Sequence, residues 1–235
     1  MNLQFNHGGE RRYQLIARSL AGRIERGDFR EGDRLPAERD LSREMDVSRT
    51  TLREALIALE LMNYVEIRTG SGIYVLPASA RVPPAAPLPE NEPGPLEVLE
   101  LRRVIEGSLA AAAAERGSDA ALAQIAETTL AMRAAVDDLT EFDRLDRMFH
   151  LQIAHASGNS LGPGLVDWIW AFRGGAMWRK RYGQTRHRNN RLITVEDHAR
   201  ISRALRRRQP DKADTAMKAH VDVLIERFLD LGFTD

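Results

Sequence analysis

Asp146 and His150 stand four residues apart in FDRLDRMFH, a spacing that puts two side chains on one face of a helix. Two more histidines, His198 and His220, fall in later segments of helical periodicity. One carboxylate and three imidazoles suit a borderline divalent ion such as Zn, Ni or Mn, and can leave positions open in a five- or six-coordinate site. Spacing alone keeps the ordinary alternative alive, because a buried, hydrogen-bonded histidine needs no ion. An open position invites a carboxylate, which can displace metal-bound water, and a guanidinium close by could clamp that acid with two hydrogen bonds. Arg102 and Arg103 in LELRRVIEG lie early on the first helical segment of the same region; the alternative is that they pair on the surface with Glu100 or Glu106. His155 is five residues past His150 and turns off its face; His187, in the basic stretch RKRYGQTRHRNNR, and His7 read as solvated.

A second group of residues fits nucleic acid. Arg49, Thr50, Thr51 and Arg53 open a helical segment behind Ser48. Arginine can hold guanine O6 and N7 with two bonds, worth roughly 1–3 kcal/mol of discrimination, and threonine can bond a phosphate or touch a thymine methyl. Arg39, one segment earlier, could reach the same groove or the backbone. Thr69 and Gly70 belong to a Thr-Gly-Ser-Gly tip, where Gly70 and Gly72 would let the chain approach a minor groove closely. Taken singly, each arginine is as well explained by solvation on an ordinary helix.

The elements that must position these groups follow from periodicity. Tyr13 to Arg26 predicts a helix that Gly27 stops. A turn at Asp46-Val47 separates a short helix near Leu41 from one capped by Ser48 and running from Arg49 to about Leu61, where Asn63 accommodates a left-handed end. Tyr64 to Arg68 and Ile73 to Leu76 alternate as strands about the tip. Helix, turn, capped helix and Gly-tipped hairpin together form a winged helix-turn-helix over residues 1–76. Residues 77–94 are a Pro-rich linker. From residue 95 to 235 only helical patterns occur, over about 96–116, 119–137, 139–157, 161–183, 191–208 and 211–231, predicting an all-α antiparallel bundle. The fold class is therefore mainly α, in two domains.

LPAER, VSRTTLREAL and GSGIYV resemble the N-terminal domain of the GntR family of bacterial transcription regulators. The resemblance implies operator contacts by Arg39, Arg49, Thr50, Thr51, Arg53 and Gly70, and their neighbours Ser48 and Thr69 join them as candidate DNA-binding residues. DRMFH at 146–150, ASGN, EDH at 196–198 and MKAH at 217–220 resemble the ligand-binding domain of its FadR subfamily. That implies a divalent metal on Asp146, His150, His198 and His220 at the bottom of an effector cavity, with Arg102 on the effector acid. GPLEVLELRRVIEG, Met177-Trp178 and YVEIRTGSGI are similar to hexuronate-responsive repressors. This adds Trp178 as a stacking surface for a sugar, or else a core anchor, and Arg181 among the cations for its hydroxyls or acid.

Composition bounds the rest. With no cysteine there is no disulfide framework, thiolate site or cysteine nucleophile. The first residues lack the apolar core of a signal peptide and no stretch reaches bilayer length, so a cytoplasmic protein is expected. Residues 1–80 hold twelve Arg and no Lys against twelve Asp plus Glu, a neutral balance that predicts weak non-specific DNA binding. An enzyme is disfavoured, since no motif sets a general base beside the metal residues. The expectation is a homodimeric regulator, a repressor of sugar-acid catabolism genes, bound to an inverted repeat of double-stranded DNA and controlled by a small carboxylate. The alternative is a metal-ion sensor built on the same Asp/His site.

Overall fold

The computed structural model describes residues 11–68, 70–80 and 93–230. Thr69, His7 and most of the Pro-rich segment lie outside them. Contacts group the chain into two units, Met1–Glu97 with Gly174–Arg181 and Phe228–Asp235, and Val98–Arg173 with Tyr182–Arg227.

The first unit is a winged helix-turn-helix. Helix α1 (Arg12–Glu25) and helix α3 (Arg49–Leu61) share a core with α2 (Glu38–Glu44), closed by Leu20, Leu41, Leu52, Leu56 and Leu59. Ser48 caps α3, its hydroxyl accepting from the Thr51 backbone N–H at 3.1 Å, which satisfies one of the donors a helix start leaves open. Asn63 ends the helix at φ +56°, the left-handed conformation expected of it. Strands β1 (Val65–Arg68) and β2 (Gly72–Val75) pair antiparallel with Val65 opposite Val75 and Arg68 opposite Gly72. Gly72 has φ +117°, a backbone conformation that strains any residue with a Cβ, so the wing tip calls for glycine there.

The second unit is all helical. It contains α4 (Pro95–Arg116) from Val98 onward, α5 (Asp119–Ala134), α6 (Leu139–Ala156), α7 (Gly162–Ala171), α9 (Arg188–Arg206) and most of α10 (Pro210–Asp230). Ser118 and Asp138 cap α5 and α6 through the third following backbone N–H. Leu122, Ile125, Met132, Phe149, Ile153, Ile201, Leu205 and Met217 fill the core between the helices.

One expectation fails. The segment 161–183 is not a single helix: α7 ends at Ala171, a 3-10 turn covers Phe172–Gly174, and α8 (Ala176–Thr185) starts after Gly175. Two adjacent glycines lose more entropy in a helix than any other pair, at about 1 kcal/mol each against alanine. The break has a consequence for placement. Met177 of α8 belongs to the winged-helix core, and Lys180 lies 3.9 Å from Glu60 of α3.

Candidate metal and effector centre

Asp146 and His150 project from consecutive turns of α6, His198 from α9 and His220 from α10. All four are buried. The three imidazoles offer ligand nitrogens that lie within 4.8 Å of one another. Asp146 stands outside that group of three but beside it, its Oδ1 3.5 Å from His198 Nε2 and 3.8 Å from His150 Nε2. Asp146 Oδ1 and the Nε2 atoms of His150, His198 and His220 are buried without a hydrogen-bond partner, and His150 Nδ1, on the far side of its ring, lacks a well-aligned one too. Burying one polar atom unpaired costs about 1–3 kcal/mol, so four facing one another favour a guest that can pair with them. The residues present fit a divalent cation.

The opposite nitrogen of each ring has a polar or sulfur neighbour, aligned as a hydrogen bond for His198 and His220 and as a close ion-pair contact for His150. His150 Nδ1 is 2.6 Å from Glu106 Oε2, His198 Nδ1 is 3.2 Å from Met132 Sδ, and His220 Nδ1 is 3.4 Å from Asp197 Oδ2. Phe149 stacks on the His198 ring at 3.9 Å and 6°. Partners of this kind fix ring orientation and choose which nitrogen is left to ligate. Burial pushes the pKa of His198 well below that of a free histidine, and the neighbouring His220 and His150 push it further. Burial also lowers His150, against the opposing pull of Glu106. Neutral rings with open lone pairs are the state a metal needs. Burial alone would raise Asp146, but Arg173, His150 and His220 outweigh it and hold the carboxyl below its usual range.

Around this cluster lies a polar shell. Glu106 of α4 is 2% exposed and Arg102 1%; they are joined by Nε–Oε1 at 2.7 Å and Nη2–Oε2 at 3.2 Å. So Arg102 does pair with Glu106, but in the interior rather than on the surface. Arg103 takes a half-buried position and pairs with Asp222. Trp170 donates its indole N–H to Glu106 Oε1 at 3.0 Å. The indole carries two guanidinium groups, Arg102 at 4.4 Å and Arg173 at 4.3 Å. Arg173 donates to Asp146 Oδ2 at 3.1 Å and lies over Tyr182, whose hydroxyl donates to Asp143.

The structure thus brings Asp146, His150, His198, His220 and Arg102 together. Trp178 and Arg181 lie in the first unit. Trp178 is buried against Phe228, and burial pulls Arg181 down to about 10, with Glu60 opposing. Glu106, Trp170 and Arg173 were missed as site residues. Glu106 had a signal, its i,i+4 spacing from Arg102; for Trp170 and Arg173 the sequence offered none beyond the helix break beside them.

On the winged helix, Arg39 and Arg49 are exposed at the head of their helices, and Thr50 and Thr51 are half-buried. Arg53 is more committed than expected, its Nε donating to Glu38 Oε2 at 2.7 Å in a mostly buried pair. Ser48 and Thr51 share a hydroxyl hydrogen bond at 2.8 Å. Gly70 is exposed with φ +72°.

Residues 12–75 match the family described as bacterial regulatory proteins, gntR family, and residues 97–223 match the FCD domain. The Exu regulon transcriptional regulator of Escherichia coli K12 is 35% identical over 217 residues, covering 90% of this chain and 82% of its own. The HTH-type transcriptional repressor NanR of Klebsiella aerogenes is 31% identical over 93% of this chain and 86% of its own. The solved E. coli McbR/YncC structure covers 93% of this chain and 97% of its own with a TM-score of 0.50 at 17% identity, a likeness of fold alone.

Proposed function

The chain belongs to the gntR family of bacterial regulatory proteins, and from that premise we propose that it is a homodimeric repressor released from an inverted-repeat operator by a small sugar acid bound at a divalent metal. That it is a transcription regulator of the GntR/FCD type, and not an enzyme, follows from the family and its relatives. The finer reading rests chiefly on one observation, the four buried polar atoms that face each other without partners.

Asp146, His150, His198 and His220 would hold Zn, Ni or Mn, with Nε2 as the ligand atom of each histidine. When bound, the ion supplies a Lewis-acidic anchor for a carboxylate. The protein's own residues do the rest. Arg102 and Arg173, stacked on Trp170, place positive charge next to the cluster, where an acid is favoured over the matching neutral sugar. Trp178 and Arg181 are assigned structural parts in the first unit. A sugar acid is favoured by the resemblance to hexuronate-responsive repressors and by the name of the Exu regulon regulator. The repressor sense is favoured by the relative named as a repressor.

At the DNA, Arg39, Ser48, Arg49, Thr50, Thr51, Thr69 and Gly70 supply contacts from the reading helix and wing, and Arg53 adds to them while tied to Glu38. Two copies are needed because a winged helix reads one half-site. The second unit offers a face for them. Ile105 and Leu109 of α4 pack on Val166 and Trp170 of α7, while Leu101, Val104, Leu161, Leu165 and Trp168 on the same two elements and the turn before α7 stay exposed, Leu161 at 77% and Trp168 at 55%. No helix among the described residues is long and apolar enough to cross a membrane, and the proposed site of action is the cytoplasm.

The test is a thermal-shift and operator-release screen of glucuronate, galacturonate and the corresponding neutral sugars, on metal-loaded and chelated protein. An acid that stabilises only the loaded form and frees the operator supports the reading. Release by the ion alone, with no acid, would convert it to a metal sensor.

A further inference from the structure

We propose that Glu106 is a positioning residue for the metal centre, holding His150 in the tautomer that leaves Nε2 unprotonated while it locks Arg102 against Trp170. This rests on the reading of the four convergent atoms as a metal site.

The argument is a donor count. Glu106 Oε1 accepts from Arg102 Nε at 2.7 Å and from Trp170 Nε1 at 3.0 Å. Oε2 accepts from Arg102 Nη2 at 3.2 Å and lies 2.6 Å from His150 Nδ1, an ion-pair contact whose ring alignment falls short of a hydrogen bond but which is too close for two facing lone pairs. Three of those four neighbours can only donate. The carboxylate can only accept, so His150 Nδ1 must bring the proton. A neutral imidazole has one N–H, and spending it on Glu106 leaves the Nε2 lone pair pointing at Asp146 Oδ1 and the other rings. Carboxylate–histidine–metal relays of this kind also raise the basicity of the ligand nitrogen. Here the same carboxylate binds the guanidinium proposed to meet the effector. One side chain therefore sets both halves of the site, the nitrogen that holds the ion and the cation beside it.

Glu106→Gln makes a sharp prediction. The amide oxygen will take the Oε1 position, where two obligate donors wait. The amide NH2 then takes the Oε2 position, losing the Arg102 Nη2 bond but clashing with one donor instead of two, and it faces His150 Nδ1, which must accept. The proton moves to Nε2 and the ligand is lost. The experiment is a long-range 1H–15N correlation spectrum of the metal-free protein, with affinity for Zn and Ni measured by competition with a chromophoric chelator. In the wild type, His150 is expected to be protonated on Nδ1. In Glu106→Gln it is expected on Nε2, with metal affinity down by roughly ten- to a hundredfold. Glu106→Asp, which keeps the carboxylate, should hold the wild-type tautomer and recover part of the affinity. A merely structural Glu106 would leave the tautomer untouched.

The inference is overturned if wild-type His150 carries its proton on Nε2, which needs no variant to establish. It is equally overturned if Glu106→Gln keeps both the wild-type tautomer and the wild-type affinity. Wild-type protein that takes up no metal but shows the tautomer reversal would uphold the positioning role and remove the metal reading instead.

Discussion

Removing one imidazole should separate metal binding from packing. In His198→Ala the variant loses both an Nε2 facing the cluster and a ring stacked 3.9 Å from Phe149. The lost stacking lowers stability with or without metal, so it cancels when the increment added by metal is read. For the wild type, free metal at about a hundred times Kd adds about 2.7 kcal/mol. At roughly 2–4 °C per kcal/mol for a chain of this size, the melting temperature should rise by about 5–10 °C. If losing one of four donors weakens binding about a hundredfold, the same metal concentration then equals Kd, and the increment falls to about 0.4 kcal/mol, or roughly 1 °C. The assay is differential scanning fluorimetry of chelated and metal-loaded protein, with His155→Ala as control, since His155 is exposed and off the ligand face of α6. Equal metal-induced shifts in wild type and His198→Ala would refute the ligand assignment.

Three further outcomes are expected. Because His150 and His198 have folded pKa values below the free value of 6.5, the unfolded chain binds more protons; stability of the chelated protein should be full above pH 6.5 and fall below it, by up to about 1.4 kcal/mol per pH unit for each histidine. Denaturant titrations between pH 7.5 and 5 check this, and His198→Gln should flatten the fall; a pH-independent midpoint would contradict the buried neutral state. Arg49→Ala should weaken specific operator binding by about 1–3 kcal/mol, measured by fluorescence anisotropy, with melting temperature unchanged; equal affinity would exclude Arg49 as a base reader. Trp168→Glu should shift the mass measured by light scattering toward the monomer, and a persistent dimer would place the interface elsewhere.

Much of the reading head was legible because its signals are local. A serine before an amphipathic run, an asparagine where the chain must turn left-handed and two glycines at a hairpin tip act within a few residues, and Ser48, Asn63 and Gly72 adopt the geometry their chemistry implies. The metal quartet was legible more faintly, since the i,i+4 pair on α6 is local but His198 and His220 meet it only through helix packing. What escaped was decided by tertiary placement. An Arg–Glu pair at i,i+4 looks the same in sequence whether exposed or buried, so pairing of Arg102 with Glu106 stood only as a surface alternative to an effector contact, and their buried pair went unread. The tie from Arg53 to Glu38, on another helix, could not be read from the sequence either. The run from 161 to 183 has helical periodicity throughout, and that pattern outweighed the entropy cost of Gly174-Gly175; the break then carried Trp178 and Arg181 into the first unit, while Arg173 stayed beside Asp146.

Trp170 gives the molecule an internal optical gauge. Its indole has the Arg102 and Arg173 guanidiniums 4.4 and 4.3 Å from its ring centroid, hydrogen-bonds a carboxylate and has the His150 ring centroid 5.0 Å away. Indole emission follows the electric field across the ring, and here that field is made by the very charges an ion and an acid would rearrange. Occupancy of the centre should therefore be readable as a change in emission colour, without any attached dye, in a protein where Trp168 and Trp178 can be replaced by phenylalanine to leave one emitter.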